Sequence, residues 1–116
     1  MRILLADNLP KVRFALRVLL EQQPGLEVVG EAADAQDLLA QVQATAPDLV
    51  LLHWRLPGLT AADLLSTLRE AFSSLLVIVL SAQSEARHAA LAAGADAFVS
   101  KADPPEQLLA AVQSVL

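Results

Sequence analysis

The chain has 116 residues and a net charge of −5 at neutral pH, with eight Lys and Arg residues against 13 Asp and Glu residues. This length predicts a single domain, residues 1–116, with a core large enough to fold without disulfides. The shortage of basic residues argues against direct binding of nucleic acid, and the absence of cysteine excludes disulfides and thiolate metal sites. The longest aliphatic run is far too short to span a membrane, and the first residues lack a secretory-signal pattern. We therefore expect a cytoplasmic protein without membrane contact.

Five short aliphatic runs alternate with helical patterns along the chain. The strands predicted from these runs cover residues 3–6, 26–31, 49–52, 75–80 and 97–99. The first is wholly aliphatic, which suits a strand buried on both faces of a sheet. The second alternates more and is predicted to lie at the sheet edge. This alternation of strands and helices predicts an α/β fold, in which helices cover both faces of a parallel sheet.

The first three helices have recognisable boundaries. Apolar residues at helical spacing predict the first helix over about residues 11–22. The second begins after Asp34, a favoured cap residue, and ends before Pro47. Thr60 and Asp63 resemble a capping box at the start of the third helix.

The last two helices carry similar signals. The fourth is alanine-rich, covers about residues 85–93 and stops at Gly94, a residue that favours helix ends. For the fifth helix we predict Asp103 as the cap, a proline as the first residue and Glu106 as the third. Its predicted inner face consists of Leu108, Leu109, Val112, Val115 and Leu116.

Polar residues follow four of the five strands. Asp7 and Asn8 follow the first, His53 the third, Ser81 the fourth and Lys101 the fifth. Ligands of open α/β sheets bind beyond the carboxyl ends of the strands. The sequence therefore predicts that these side chains share one site.

Four segments carry a resemblance to a known family. ILLADNLP, PDLVLLHWRLPGL, VIVLSA and AGADAFVSK are together similar to the response-regulator receiver family, over essentially the whole chain. The ending KADPPEQLL is similar to the LuxR-type subfamily, whose receivers are joined to helix-turn-helix output domains. The resemblance implies a doubly wound, flavodoxin-like sheet of strand order 2-1-3-4-5, flanked by five helices.

The resemblance also assigns positions in a phosphate-accepting pocket. Family members have an acidic pair after the first strand, Asp after the third, Thr or Ser after the fourth and Lys after the fifth. The matching residues here are Asp7 with Asn8, His53, Ser81 and Lys101, so histidine stands where the phosphate-accepting aspartate is expected. Mg²⁺ prefers oxygen ligands that include carboxylates, and Asp7 is the one carboxylate left in this set. We therefore expect no enzymatic activity and no cofactor, with magnesium binding lost or weak through Asp7.

Three further residues are candidates for switching or contact with partners. Phe98 matches the family's aromatic position, whose ring orientation reports activation, and Arg87 belongs to the same face of the fold. Trp54 directly follows His53 on a loop and is a candidate contact. The expected partners are a second copy of the chain, an output domain or another regulator, with a DNA-binding domain possible beyond residue 116.

These residues together predict an atypical receiver of two-component signalling. We expect a phosphorylation-independent interaction or dimerisation module that controls an output domain, with Lys101 paired to Asp7. The alternative is a phosphoacceptor receiver of a transcriptional regulator whose aspartate has been changed to His53 by mutation. Three other hypotheses concern the residue types alone: a phosphohistidine at His53, zinc held by His53 and Asp7, and a hydrolytic triad of Asp7, His53 and Ser81.

Overall fold

A computed structural model describes residues 1–115. Its five strands form one parallel sheet of order β2-β1-β3-β4-β5, which confirms the expected topology. The strands are β1 (Arg2–Ala6), β2 (Glu27–Ala32), β3 (Leu49–His53), β4 (Leu76–Ser81) and β5 (Ala97–Ser100). Each observed end lies within one residue of the predicted end, and β2 is an edge strand, as its alternation predicts.

Five helices connect and flank the strands. They are α1 (Pro10–Glu21), α2 (Ala35–Thr45), α3 (Ala61–Ala71), α4 (Arg87–Ala92) and α5 (Pro105–Val115), with a single 3₁₀ turn, Ser84–Ala86, before α4. The predicted caps of α2 and α3 are confirmed, because the Asp34 side chain accepts from the Asp37 amide and Thr60 from the Asp63 amide. Gly94 has a φ of 113° just beyond α4, where a left-handed residue closes the helix.

The predicted start of α5 is wrong by one residue. The helix begins at Pro105, so Pro104 rather than Asp103 precedes it, and Glu106 is its second residue. A proline disfavours helical geometry in the residue before it, which keeps Pro104 out of the helix. The Asp103 carboxylate instead accepts from the Ser100 amide at 3.1 Å. Leu108 and Val112 are buried as predicted, whereas Leu116 lies outside the described residues.

Each face of the sheet packs against its own helices. One face, with α2, α3 and α4, buries a cluster that includes Leu4, Leu52 and Leu64. The other, with α1 and α5, buries a second cluster that includes Leu5 and Leu108. Alternate residues of the inner strands point to opposite faces, and this is why their sequences are aliphatic throughout. No helix within residues 1–115 is long and apolar enough to cross a membrane.

The β2 edge contains an irregularity. Ile3 pairs with Val28 and Leu4 with Gly30, so the register shifts and Val29 is left without a partner on β1. A Cβ on Gly30 would overlap the Gln41 side chain and lie 2.7 Å from Leu4 Cδ1. Glycine at this position therefore lets α2 pack closely on the strand.

Candidate functional site

The carboxyl ends of the strands bring three of the predicted site residues together. Asp7 follows β1, His53 ends β3 and Lys101 follows β5. Lys101 Nζ lies 2.8 Å from Asp7 Oδ2, and His53 Nδ1 lies 3.9 Å from the same oxygen. Asn8 is exposed, and Ser81 is buried at the end of β4. The pocket is thus centred on the Asp7 carboxylate.

Asp7 is held at both carboxylate oxygens. Its Oδ1 accepts from the Leu9 amide at 2.9 Å, and its Oδ2 accepts from the ammonium group of Lys101. The residue is only 1% exposed, so this ion pair lies largely out of water. The predicted pairing of Lys101 with Asp7 is present, and the Lys101 amide is fixed in turn by the Ser81 carbonyl at 2.8 Å.

His53 occupies the pocket without a partner for one ring nitrogen. Its Nδ1 is buried and makes no hydrogen bond to any atom of residues 1–115. Burial lowers the pKa of His53 below its ordinary value, and the nearby Lys101 cation lowers that pKa further, whereas Asp7 acts in the opposite direction. The neutral ring is therefore the favoured form, as expected from the sequence.

Ser81 is engaged with the backbone. Its hydroxyl oxygen accepts from the Gln83 amide at 3.0 Å, which agrees with the prediction of a strand-end hydroxyl bonded to the chain. No hydrogen bond joins Ser81 to His53 among the residues described. A hydrolytic triad needs that bond between nucleophile and base, so the geometry gives the triad hypothesis no support.

Arg13 belongs to this site although the sequence did not single it out. Its Nη1 donates to the Asp7 carbonyl at 2.5 Å, and its Nε donates to Glu31 at 2.9 Å. Burial raises the pKa of Glu31, but hydrogen bonds from Arg17 and Arg13 outweigh that effect and leave the pKa below its ordinary value. The available signal was two arginines four residues apart, beside the apolar stripe of α1.

The family assignment follows from comparison with known proteins. The model of the response regulator receiver domain matches residues 3–113. This chain belongs to that family. The receiver is 36% identical to the uncharacterized transcriptional regulatory protein YhcZ of Bacillus subtilis, over 94% of this chain and 52% of that protein. It is 34% identical to the nitrate/nitrite response regulator NarL of Escherichia coli K12, over 95% of this chain and 52% of that protein.

Solved structures agree with this assignment. A two-component response regulator of the LuxR family from Aurantimonas matches with a TM-score of 0.91 and 32% identity, over 98% of this chain and 83% of that one. RcsB of Salmonella enterica, bound to the promoter rprA, matches with a TM-score of 0.92 and 27% identity, over 99% of this chain and 59% of that one. The receiver is of the NarL/LuxR response-regulator type, and it spans about half the length of the curated relatives it matches.

The receiver's pocket does not fit a divalent cation as it stands. Mg²⁺ requires near-octahedral oxygen ligands, usually with one or two carboxylates. Both Asp7 oxygens are already engaged, and His53 presents a nitrogen in place of a carboxylate. Within residues 1–115 no group of three or more His, Cys, Asp or Glu side chains is placed to hold a metal, which also leaves the zinc hypothesis without a third ligand.

The candidate switch residues lie on the opposite side of β5 from α5. The Phe98 ring is buried, and the Arg87 guanidinium carbon sits 5.0 Å from its centroid, within cation–π range. Trp54 is half-buried against the same cluster, and its amide donates to the Leu80 carbonyl. Arg87 is thus the exposed member of the three, and it covers the aromatic ring of the receiver.

Proposed function

We propose that this receiver acts without aspartyl phosphorylation, as an interaction module that controls an output domain. The observation that carries the proposal is the state of the pocket at the carboxyl edge of the sheet. His53 replaces the acceptor carboxylate, and the remaining carboxylate, Asp7, is buried in an ion pair with Lys101.

Phosphoryl transfer to a receiver needs two groups that this pocket lacks. A carboxylate must attack phosphorus, and a cation must neutralise the charge that develops on the phosphoryl oxygens. His53 offers no carboxylate, and Asn8 offers at most a neutral oxygen beside an occupied Asp7. Magnesium binding is therefore lost or weak, and the aspartyl-phosphate reaction is absent.

The proposed output is protein contact. The face that includes Arg87, Phe98 and Trp54 supports recognition of an output domain, another regulator or a second copy. RcsB binds promoter DNA in its solved complex, and we propose that DNA contact here belongs to a domain beyond residue 116. The acidic balance of this receiver, eight basic residues against 13 acidic ones, opposes direct contact with phosphates.

One observation favours a second function. Ser81 and Lys101 both occupy the strand-end positions that phosphoaccepting relatives use. A phosphoacceptor receiver whose aspartate was changed to His53 by mutation would retain them. Restoring the lost carboxylates separates the two functions from a general decay of the pocket.

The test is incubation with acetyl phosphate and Mg²⁺, with intact mass as the readout. We expect no phosphoryl gain for the wild-type chain, and a stoichiometric gain there would overturn the proposal. The double variant Asn8→Asp with His53→Asp should gain one phosphoryl group, and His53→Asp alone should gain less.

The matched control is His88→Asp, which adds a carboxylate at the other histidine, exposed on α4. It should stay unmodified. If the double variant folds and stays inert, the pocket differs from the family at more than these two positions, and the mutated-phosphoacceptor alternative is wrong.

A further inference from the structure

Helix α1 exposes an apolar face. Of the large apolar side chains exposed within residues 1–115, three belong to α1 or to the residue before it: Leu9, Phe14 and Val18. Phe14 is 68% exposed and Val18 43%. They are four residues apart, so they lie on the same side of the helix. Isolated exposed apolar residues are common, but a cluster on one helix indicates a surface that is covered in function.

An apolar groove adjoins this face. It runs between α1 and α5 and has a volume of about 450 Å³. Its walls and floor are formed by Leu16, Leu19, Leu80, Val99, Pro105 and Leu108. The exposed Phe14 and the groove that could accept a side chain of its size are therefore neighbours on the same molecule.

The two walls of the groove carry opposite charges at their rims. Lys11 lines it from α1, and Asp103 lines it from the start of α5. Within residues 1–115 Lys11 forms no ion pair. A partner suited to both walls must itself present both signs of charge beside apolar surface.

We propose that a second copy of this chain covers this face. In a two-fold arrangement α1 packs against α1, and Phe14 of each copy enters the groove of the other. A two-fold interface uses the same patch on both molecules, so an apolar projection and its recess must lie on one copy, as they do here. The symmetry also brings the α1 wall of one copy against the α5 wall of the other, which pairs Lys11 with Asp103 twice.

The residues around Phe14 fit close approach of two helices. Ala15 lines the groove and is exposed, and its small side chain leaves room for a helix opposite. We place the two-fold axis beside Ala15 and Val18. This position sets a geometric requirement, because each of these residues then lies close to its own symmetry copy.

Other classes of partner match this face less well. Nucleic acid and anionic membrane surfaces require free basic residues around the contact. Arg13 and Arg17 instead bind Glu31, with distances of 2.9 and 2.7 Å, and Lys11 faces an acidic rim. A copy of this chain supplies the required mixture of charge and apolar surface.

This inference deepens the proposed interaction role by naming a partner and a surface for it. The surface lies on the other side of the sheet from Arg87 and Phe98. It also does not involve the pocket around Asp7. Phosphorylation assays and association assays can therefore fail separately.

The first experiment measures the oligomeric state of the chain over a range of concentrations by sedimentation equilibrium. We expect dimerisation, with the dissociation constant of Phe14→Ser weakened by about 10- to 100-fold, the range typical of a central interface residue. The matched control Leu59→Ser changes an apolar residue that is 41% exposed in the loop before α3, and its dissociation constant should match wild type. Circular dichroism melting verifies that both variants are folded.

The second experiment locates the interface with single cysteines, which is direct because the chain contains none. Under mild oxidation Ala15→Cys or Val18→Cys should form a disulfide-linked dimer faster than Leu91→Cys, which sits 42% exposed on α4. A disulfide requires Cα atoms within about 7 Å, so its formation reports proximity to the axis. A chain that stays monomeric up to about millimolar concentration, or one that cross-links fastest at Leu91→Cys, overturns the proposal.

Discussion

The two ends of the sheet hold their charged side chains in different ways. At the amino ends of β4 and β5, Arg69 donates to the Gly94 carbonyl and to the Asp96 carboxylate, which also accepts from the Val77 amide. The side chains of Arg69 and Asp96 remain 27% and 32% exposed. At the carboxyl ends Asp7 is buried, and next to it His53 lacks a partner for Nδ1.

This difference separates structural from functional use of polar residues. At the amino end each carboxylate and guanidinium satisfies backbone groups of the loops, and water can replace a lost partner. At the carboxyl end a charge lies out of water with one counterion, and a buried polar atom is unsatisfied. Unsatisfied or isolated polar groups in a core are rare, and they concentrate at functional sites.

The largest expected effect comes from removing the counterion at the carboxyl end. Lys101→Met leaves the Asp7 carboxylate buried without its cation, and we expect the free energy of unfolding to fall by about 3 kcal/mol. Urea unfolding measures it. Adding Asp7→Asn to Lys101→Met should recover much of the loss, because the amide is neutral and can still accept from the Leu9 amide.

The equivalent change at the amino end should be smaller. Arg69→Met removes the donor to two carbonyls and one carboxylate, all of which water can reach, and we expect a loss of about 1–2 kcal/mol. Arg55→Met is the control, since the exposed Arg55 donates only to the Gln83 side chain among the residues described. If Arg69→Met destabilises more than Lys101→Met, the contrast between the two ends is wrong.

The third prediction concerns pH. The pKa of His53 is lowered in the folded chain by burial and then by Lys101, so unfolded chains bind a proton at higher pH than folded ones. The stability gained from the neutral ring is therefore present above about pH 6.5 and is lost as the pH falls through the folded-state pKa. For one proton the slope is at most about 1.4 kcal/mol per pH unit.

His53→Asn should flatten this part of the stability curve, whereas His88→Asn, at the exposed histidine of α4, should leave it unchanged. Thermal unfolding in matched buffers between about pH 7 and pH 5 measures both. Parallel losses in wild type and His53→Asn would mean that His53 has no part in the acid sensitivity.

The smallest expected effect is that of magnesium on the wild-type chain. A ligand stabilises the folded state in proportion to the logarithm of its concentration over the dissociation constant. With Asp7 engaged, about 10 mM Mg²⁺ should change the free energy of unfolding by only tenths of a kcal/mol. The Asn8→Asp, His53→Asp variant should respond more strongly, and a rise of several degrees in the Tm of wild type would contradict this account of the carboxyl end.

The sequence predicts the elements of this fold well and its side-chain contacts less well. Strand ends follow from aliphatic runs, and the caps at Asp34 and Thr60 follow from local hydrogen bonds that the residue types allow. The start of α5 depended on competition between a capping residue and two prolines, which residue preferences alone do not resolve. Strand order came from the family resemblance rather than from periodicity.

The site could be predicted as a set of residues but not as a network. Position at the strand ends brought Asp7, His53 and Lys101 together, because parallel strands end at one edge. The missing partner of His53 Nδ1 depends on distances of a few tenths of an ångström, and no pattern encodes them. The bonds from Arg13 to the Asp7 carbonyl and to Glu31 join residues that are distant in the chain, so they required the packed structure.

The irregular register of β2 has a consequence for assembly. An edge strand presents unpaired backbone groups, and a regular one invites another strand to extend the sheet. Here the bulge opposite Ile3 and Leu4 distorts the edge, and Glu27 and Glu31 add negative charge along the strand. Two copies that met edge to edge would bring these like charges together across a mismatched ladder. The sheet therefore stays finite at β2, which protects the folded chain against growth into aggregated, continuous sheets.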